Sequence, residues 1–299
     1  MRAGREASRY VPPFRGTITS KAGGTEAEWQ SLVVVETIRH GGVTEWRCAS
    51  LGSRLAGYSA SAFLTADGVL IDTGIPAAGA ALDRLLDTES ISGVIVSHHH
   101  EDHAGNIERV ARRGIPCWVS PLTLPRVIDV APIGVYRRIT WRTMQPLVSP
   151  LTAFAPAAYT PIHAPGHSAD HHVVWHAASR TLFSADLFLG VAVRVAHRDE
   201  DPWVALRSID AAVALNPARL FCAHRGLVPD AVGALQAKAA WTRTLIGTIS
   251  SRIADGATDA EILKSVMGGE SITGMASAGE YSRMNFVRAV RRRAEQRTA

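Results

Sequence analysis

Short runs of apolar and β-branched residues, separated by turn signals, dominate the first quarter of the chain. Two such runs in "WQSLVVVETIRHGGVTEWRCASL" flank His40-Gly41-Gly42. "SASAFLTADGVLIDTG" carries a second turn at Ala66-Asp67-Gly68. Alternating apolar runs with glycine in the intervening turn favour β-hairpins. The chain up to about residue 75 therefore predicts four strands in a meander.

The pattern then changes to an alternation of helical and strand-like segments. "PAAGAALDRLLD" has leucines at helical spacing, and the short apolar run "ISGVIVS" that follows predicts a buried strand. The same alternation continues through "GNIERVARR", "IPCWVS", the three strands in "YTPIHAPGHSADHHVVWHAASRTLFSADLFLG", "VALRSIDAAVAL" and "RLFCAHRG". Such an order predicts an α/β fold with helices packed on a sheet.

From Val228 onward the pattern is helical. Asp255-Gly256 is expected to end one helix, and Thr258 with Glu261 forms a capping box for the next. A last helix is predicted in "AGEYSRMNFVRAVRRRAEQ", whereas residues 1–28 show little periodicity. The predicted organisation is a flexible leader over 1–28, a catalytic domain over 29–228 and a helical C-terminal extension over 229–299.

Composition narrows the class of protein. The 299 residues are 46% apolar and 20% charged, as in ordinary globular proteins. No apolar run reaches the roughly 20 residues that cross a bilayer, and the start of the chain lacks a secretory signal. Three isolated cysteines predict no disulfide framework, so we expect a cytoplasmic protein without a membrane partner.

The net charge of +5 is concentrated at the two ends of the chain. Basic ends can contact nucleic acid, but a solvated tail and a solvated helix face are the favoured interpretation. A small-molecule substrate is therefore expected, with nucleic acid as the less favoured partner. The sequence does not indicate an oligomeric state.

The stretch "VIVSHHHEDHAGN" carries the clearest chemical signal. It places four histidines and two acids in six positions directly after an apolar run. Imidazole and carboxylate groups suit Zn²⁺, Fe or Mn²⁺. Further donors follow other apolar segments, so that one sheet edge would gather His98, His100, Asp102, His103, His167, Asp186 and His224. The isolated residues His40, His163, His176 and His197 are interpreted as structural or surface histidines.

Five motifs in order make the chain resemble the metallo-β-lactamase superfamily. They are "IDTG" with Asp72, "HHHEDH", "APGHS", "SAD" and "AHRG", and they span roughly Leu32 to His224. The resemblance implies a four-layered αββα sandwich and two divalent metal ions, zinc being expected and iron or manganese the alternatives. His98, His100 and His167 would hold the first ion, and Asp102, His103 and His224 the second. Asp186 would bridge both, and Asp72 would hold the ligand loop in place.

This resemblance also implies a function. A metal-bridging hydroxide would attack an ester, thioester, lactone or phosphoester, with Asp102 and Asp186 as the catalytic residues. "HSADHHV" and "LFSADLFLG" look most like the glyoxalase-II-like and endoribonuclease-type branch, in which Asp170 and His171 would support the ligands from behind. A simple turn at the strand end is the alternative for that pair. An RNA-cleaving nuclease and a mono-iron dioxygenase of the same fold remain alternative functions.

The segment from 121 to 146 lies between the ligand motifs and is rich in arginine and aromatic residues. Its part "VYRRITWRTM" is expected to form one wall of the substrate cleft through Tyr136, Arg137, Arg138, Trp141 and Arg142. Arginines there would neutralise a phosphate or carboxylate, and the aromatic rings would pack on an apolar group. The alternative is a surface helix with Tyr136, Ile139 and Trp141 partly buried.

Overall fold

A computed structural model describes residues 33–296, and it contains a mixed six-stranded first sheet. Its strands lie in the order in which they occur along the chain: β1 (Val34–Arg39), β2 (Val43–Ala49), β3 (Ala60–Thr65), β4 (Val69–Ile71), β5 (Gly93–Val96) and β6 (Cys117–Val119). The first four pair antiparallel, which confirms the predicted meander. The pairs β4–β5 and β5–β6 are parallel, and helical segments connect the strands of each pair.

The second sheet is built from the later part of the chain. It contains β7 (Tyr159–His163), β8 (His172–His176), β9 (Thr181–Phe183), β11 (Arg219–Cys222) and β12 (Gly226–Val228) in the spatial order β12-β11-β9-β8-β7. Strands β9 and β11 are parallel, and the other pairs are antiparallel. A two-stranded ribbon pairs β10 (Ala196–His197) with β13 (Tyr281–Ser282).

Helices cover the outer faces of both sheets. On the first sheet and along its edge they are α1 (Leu51–Leu55), α2 (Gly79–Thr88), α3 (Glu101–Ala104), α4 (Ile107–Arg112), α5 (Leu124–Ile128) and α6 (Val135–Thr140). The later helices are α7 (Pro202–Ala214), α8 (Ala231–Ala254), α9 (Asp259–Ser265), α10 (Ile272–Ala276) and α11 (Arg283–Glu295).

Three apolar cores define four layers. Between the sheets, the ring of Phe63 lies 5.7 Å from that of Phe183 and 5.2 Å from that of Phe221. A second core joins the first sheet to α2, α3 and α4, and a third joins the second sheet to α7, α8 and α11. The order helix, sheet, sheet, helix confirms the predicted αββα sandwich.

The structure confirms the turn and the helix cap that the sequence predicted from a few neighbouring residues. Gly41 and Gly42 adopt positive φ in the first hairpin. The side chains of Thr258 and Glu261 form the expected capping box. The predicted boundary after residue 228 lies between β12 and α8, and the helices beyond it share an apolar core with the second sheet. That boundary remains a prediction, and the leader over 1–28 lies outside the described residues.

The last helix starts later than predicted. Tyr281 and Ser282 pair with Ala196 and His197, and the helix begins at Arg283. The Ser282 hydroxyl accepts a hydrogen bond from the Asn285 amide and so caps the helix. No helix in the part of the chain from 33 to 296 has the length and apolar character to span a bilayer.

Candidate metal centre

The seven predicted donors come together at one edge of the two sheets. His98 and His100 follow β5, and Asp102 and His103 lie in α3. The loop between β7 and β8 carries His167, Asp186 follows β9, and His224 follows β11. Strand ends from both sheets meet at this edge, which is why donors 126 residues apart (98 to 224) become neighbours. Six of the seven side chains are buried and His224 is half-buried.

These donors form two groups that share Asp186. The first group contains His98, His100, His167 and Asp186, and the second contains Asp102, His103, Asp186 and His224. In each group the facing nitrogen and oxygen atoms all lie within 4.8 Å of one another. Each group could therefore hold a metal ion.

The distances within the first group are those expected between ligands of a single ion. His100 Nδ1 lies 3.0 Å from His98 Nε2 and 3.0 Å from His167 Nε2. His167 Nε2 lies 3.2 Å from Asp186 Oδ2. Atoms bound tetrahedrally at 2.0–2.1 Å lie about 3.3 Å apart, so these spacings fit zinc-like coordination.

The second group uses the other oxygen of the same carboxylate. Asp186 Oδ1 lies 3.2 Å from His103 Nε2 and 3.2 Å from His224 Nε2. His224 Nε2 also lies 3.4 Å from Asp102 Oδ2. The two oxygens of Asp186 thus face different groups, as a bridging carboxylate requires.

Buried polar atoms without a hydrogen-bond partner support the interpretation that these groups hold metal ions. His103 Nε2 and Asp186 Oδ1 are buried and make no hydrogen bond within residues 33–296. Leaving such atoms unsatisfied costs free energy unless another group occupies their lone pairs. A cation would satisfy both, and imidazole and carboxylate donors are the types that zinc, iron and manganese accept.

The ring nitrogens that face away from the centre are held by hydrogen bonds. His103 Nδ1 lies 2.7 Å from Asp72 Oδ2, and His98 Nδ1 lies 3.0 Å from Ser97 Oγ. His224 Nδ1 lies 2.6 Å from the Ser59 carbonyl oxygen. Such contacts fix the tautomer and orientation of a metal-binding imidazole.

Asp72 is buried and accepts three hydrogen bonds from the donor loop. Its carboxylate accepts hydrogen bonds from the Ser97 amide at 2.8 Å, the Ser97 hydroxyl at 2.9 Å and His103. The structure thus places Asp72 behind the donor loop, where the sequence predicted it.

His171 lies directly behind Asp186. Its Nε2 accepts a hydrogen bond from the Asp186 amide at 3.2 Å, and its Nδ1 donates to the Ala164 carbonyl at 3.0 Å. Burial, together with the nearby His167 ring, lowers the pKa of His171 to about 3. A neutral imidazole with this tautomer therefore supports the backbone at Asp186.

Asp170 fixes the loop on the other side of the donor cluster. Its buried carboxylate accepts hydrogen bonds from the His99 amide and ring, from Thr123 Oγ1 and from Ser168 Oγ, at 2.8–3.0 Å. Burial alone would raise its pKa, but these donors lower it. Asp170 and His171 thus contact the loops that carry the donors, and their supporting role remains a prediction.

The electrostatic surroundings differ among the donor histidines. Burial, and then the neighbouring imidazoles, lowers the pKa of His98 and His100 well below the usual value. Burial acts in the same direction on His224, but Asp186 and Asp102 outweigh it and raise the pKa of His224 to about 9. Burial likewise opposes protonation of His167 in the first group, but Asp186 and Glu200 raise its pKa, so carboxylates attract positive charge in both groups.

The segment expected to form a substrate wall is only partly as predicted. Arg137 is 7% exposed and pairs with Glu101, and its other terminal nitrogen lies 3.6 Å from Glu280. This corrects the expectation that Arg137 faces a substrate. Because the guanidinium lies between two carboxylates, it joins α6 to α3 and to the residue before β13.

The other four residues of that segment lie in different surroundings. The ring of Trp141 is buried and lies 6.0 Å from the ring of His224, so it borders the centre. Tyr136 is half-buried and Arg138 is exposed. Arg142 lines a cavity with Asn106 and Gln145, and none of the seven donors lines that cavity.

Sequence reasoning missed several residues that shape the centre. Ser97 contacts His98 and Asp72, and the Ser59 carbonyl orients His224. Glu200 Oε1 lies 3.2 Å from His167 Nδ1, although the two are not aligned for a hydrogen bond. Glu101, which pairs with Arg137, was also missed. It is the only one of these residues with a signal in the sequence, because it is an acid inside the histidine run. The others depend on loops that meet only in the folded chain.

The comparisons with known proteins agree with this geometry. The family model described as the metallo-beta-lactamase superfamily matches residues 59–224, more than half of the chain. The chain therefore belongs to this superfamily.

Two curated relatives match over part of their length. A probable metallo-hydrolase, YybB, of Bacillus subtilis is 29% identical over 128 residues, which are 41% of this chain and 58% of the relative. A beta-lactamase-like protein 2 homolog of Caenorhabditis elegans is 27% identical over 177 residues, or 55% of this chain and 54% of the relative. The chain thus spans little more than half the length of these relatives.

Solved structures show the same fold at low identity. A metallo-beta-lactamase from Pontibacter korlensis covers 70% of this chain and 99% of its own, with a TM-score of 0.53 and 16% identity. A metallo-beta-lactamase family protein from Thermus thermophilus covers 90% of this chain and 94% of its own, with a TM-score of 0.55 and 14% identity. The fold is therefore an α/β metallo-β-lactamase fold with C-terminal helices.

Proposed function

We propose that this protein is a dinuclear metal-dependent hydrolase. The single observation that carries the proposal is the pair of donor groups that share Asp186, each with the spacing of one coordination sphere. The printed name of the Bacillus relative, a probable metallo-hydrolase, supports the same class. Zinc is the proposed metal, because the 3.0–3.2 Å spacings between donors of the first group fit tetrahedral coordination, and iron and manganese are the alternatives.

When bound, two divalent ions supply an acidified water and a Lewis acid for the substrate oxygen. The residues of the chain determine the geometry of the two donor groups. Asp186 offers one oxygen to each group and fixes their separation, and Asp102 adds a second carboxylate beside His224. Buried side chains behind the donors exclude bulk water, which strengthens electrostatic interactions at the reacting atoms.

The proposed reaction is hydrolysis of an ester, thioester, lactone or phosphoester in a small molecule. A mono-iron dioxygenase would need only one donor group, so the second group favours the hydrolase.

The three cysteines are free and buried, which supports a reducing compartment such as the cytoplasm.

Activity that depends on metal across a substrate panel tests this proposal. Protein stripped with a chelator and reconstituted with Zn²⁺, Mn²⁺ or Fe²⁺ is assayed on esters, thioesters, lactones, phosphodiesters and RNA. The proposal predicts hydrolysis of at least one small-molecule class that is lost on stripping and regained on reconstitution. Activity that survives stripping, or oxygen consumption in place of hydrolysis, would contradict it.

A further inference from the structure

One buried ring nitrogen of the first donor group has no hydrogen-bond partner. The His167 ring turns Nε2 toward the centre, 3.2 Å from Asp186 Oδ2. Its other nitrogen, Nδ1, is buried and makes no hydrogen bond within residues 33–296. In three other donor histidines the nitrogen that faces away from the centre is held by a hydrogen bond. If Nε2 binds an ion, the single proton of the neutral ring is on Nδ1, so this N–H needs an acceptor.

Glu200 offers a carboxylate to this nitrogen. Its Oε1 lies 3.2 Å from His167 Nδ1 and accepts a hydrogen bond from the His197 amide at 3.1 Å. The carboxylate and the ring are not aligned for a hydrogen bond. The last torsion of a glutamate side chain is broad, so a rotation that aligns them costs little free energy. Glu200 is therefore placed to accept the Nδ1 proton.

Backbone contacts hold the turn of Glu200 against the loop that carries His167. The Glu200 amide donates to the His197 carbonyl at 3.1 Å and closes a turn over residues 197–200. The next amide along the chain donates to the Gly166 carbonyl at 2.9 Å. Gly166 has φ at 128°, and a β-carbon there would overlap the backbone of α7. Because the loop packs directly on the helix that follows the turn, the fold keeps Glu200 beside His167.

The ribbon of β10 and β13 connects the same turn to the C-terminal helices. His197 pairs with Tyr281, and their rings lie 5.1 Å apart. In the first turn of α11, the Asn285 side chain donates to the Ala196 carbonyl at 3.1 Å. It also donates to the carbonyl of the residue before β13 at 3.0 Å, and so joins the two strands. The position of Glu200 therefore depends on how α11 packs.

The position of Glu200 distinguishes a supporting role from two others. A metal ligand would face the centre, whereas Glu200 lies at the ring nitrogen that faces away from it. A solvated acid would be exposed, as Asp199 is in the same turn with 77% of its side chain accessible. The Glu200 side chain is only 19% exposed.

We propose that Glu200 is a positioning residue of the first donor group and accepts the Nδ1 proton of His167. Such a charge-assisted hydrogen bond orients the ring and makes Nε2 a stronger ligand for a cation. The C-terminal helices act on this contact through the ribbon. The inference rests on the part of the proposed function in which the first group holds an ion, and it names a residue that determines how tightly the ion is held.

The affinity of Glu200 variants for zinc tests the proposal. The full-length protein is titrated with Zn²⁺ in competition with a chromophoric chelator. We expect Glu200→Ala to bind one of the two ions about 10–100-fold more weakly and the other as tightly as the wild type. Glu200→Gln should give an intermediate affinity, because its amide oxygen still accepts the proton but carries no charge. Asp199→Asn removes the same charge one residue earlier and should change neither affinity.

Imidazole proton signals show whether the effect acts through His167. In zinc-loaded protein with ¹⁵N-labelled histidine, a ring N–H that donates to a buried carboxylate gives a downfield proton signal. We expect one such signal to be lost in Glu200→Ala, to move upfield in Glu200→Gln and to stay in Asp199→Asn. The His103 signal, identified by its loss in Asp72→Asn, should be unchanged in the Glu200 variants. A general loosening of the structure would alter both signals.

Asn285→Ala tests the connection through the ribbon. Loss of the neutral hydrogen bonds that clamp the ribbon should weaken the same ion about 2–10-fold and alter the same proton signal. If Asn285→Ala does not fold, as judged by circular dichroism, Asn285→Ser is used in its place. Unchanged affinity in a folded Asn285 variant would contradict the influence of the C-terminal helices.

The outcomes separate the role of Glu200 from the dinuclear function. Two ions bound by Glu200→Ala as tightly as by the wild type, or an equal loss in Asp199→Asn, would overturn the role of Glu200 and leave the dinuclear centre standing. A wild type that binds a single ion, which Glu200→Ala weakens, would contradict the dinuclear function and support the role of Glu200. If Glu200→Ala does not fold, Glu200→Gln is interpreted in the same way. A wild type that binds no ion would overturn both.

Discussion

Asp72 shows how a single side chain sets the geometry of the donor cluster. It follows β4 with φ at 64°, a left-handed conformation that aspartate tolerates better than most residues. In this position its carboxylate accepts hydrogen bonds from Ser97 and from the His103 ring. His103 Nε2 is thereby turned toward Asp186. Asp72 therefore acts on the centre through other residues.

Replacing Asp72 tests this positioning role. We expect Asp72→Asn to weaken metal binding about 10–100-fold, because an amide holds the His103 ring in place less strongly. Competition with a chromophoric chelator measures the affinity. His176→Ala, at the far end of β8, should leave the affinity unchanged. An Asp72→Asn variant that binds metal as tightly as the wild type would show that His103 needs no support.

Arg137 is expected to matter for stability more than for substrate binding. Its guanidinium is buried between Glu101 and Glu280. Removing one partner of a buried ion pair leaves an uncompensated charge, so Arg137→Ala should lower the free energy of unfolding by about 3–5 kcal/mol.

Urea unfolding measures this change. The neighbouring exposed residue supplies the control, because Arg138→Ala should alter the free energy of unfolding by less than about 0.5 kcal/mol. If both variants unfold at the same urea concentration as the wild type, the buried pair contributes nothing to stability.

At the scale of the element, α8 reaches from the C-terminal helices to the loop that follows Asp186. Lys238 lies on the buried side of α8, and its ammonium donates to the Gly190 carbonyl at 3.1 Å. Arg225 holds the same loop through the Leu189 carbonyl at 2.8 Å. Burial lowers the pKa of Lys238 from 10.5 to about 8. The charged form of this side chain therefore costs stability.

The lowered pKa predicts the sign of a pH dependence. Between about pH 8 and 10.5 the unfolded chain keeps the Lys238 proton while the folded protein loses it, so stability rises with pH in this window. The contribution is about 3 kcal/mol. The difference in unfolding free energy between the wild type and Lys238→Met isolates this group from others that titrate there. A difference that stays constant from pH 7 to 10.5, or that changes with the opposite sign, would contradict the assignment.

Elements with strong local signals were predictable, and those made by distant contacts were not. Gly41-Gly42 and the capping box at Thr258 are determined within a few residues, and both are confirmed. The ribbon of Ala196–His197 with Tyr281–Ser282 joins segments more than 80 residues apart, and each strand has only two residues. No periodicity marks a strand of that length, so the sequence predicted Tyr281 in a helix.

At the scale of the whole molecule, the donors were predictable because each follows an apolar segment that ends at the same edge. The αββα layers then bring His98, His167 and His224 together from both sheets. The direction of Arg137, by contrast, depends on how α6 packs against α3. A charged residue in an amphipathic stretch can face the solvent or a buried partner, and only the tertiary structure distinguishes the two.

The amount of metal bound per chain tests the central claim most directly. Elemental analysis of reconstituted wild type should give two ions per chain, and Asp186→Ala should lose at least one ion and all turnover. A carboxylate shared by two cations cannot be replaced by a methyl group without losing charge balance between them. His176→Ala should keep both ions. One ion or none in the wild type after reconstitution, or two ions in an active Asp186→Ala variant, would contradict the account of a shared dinuclear centre.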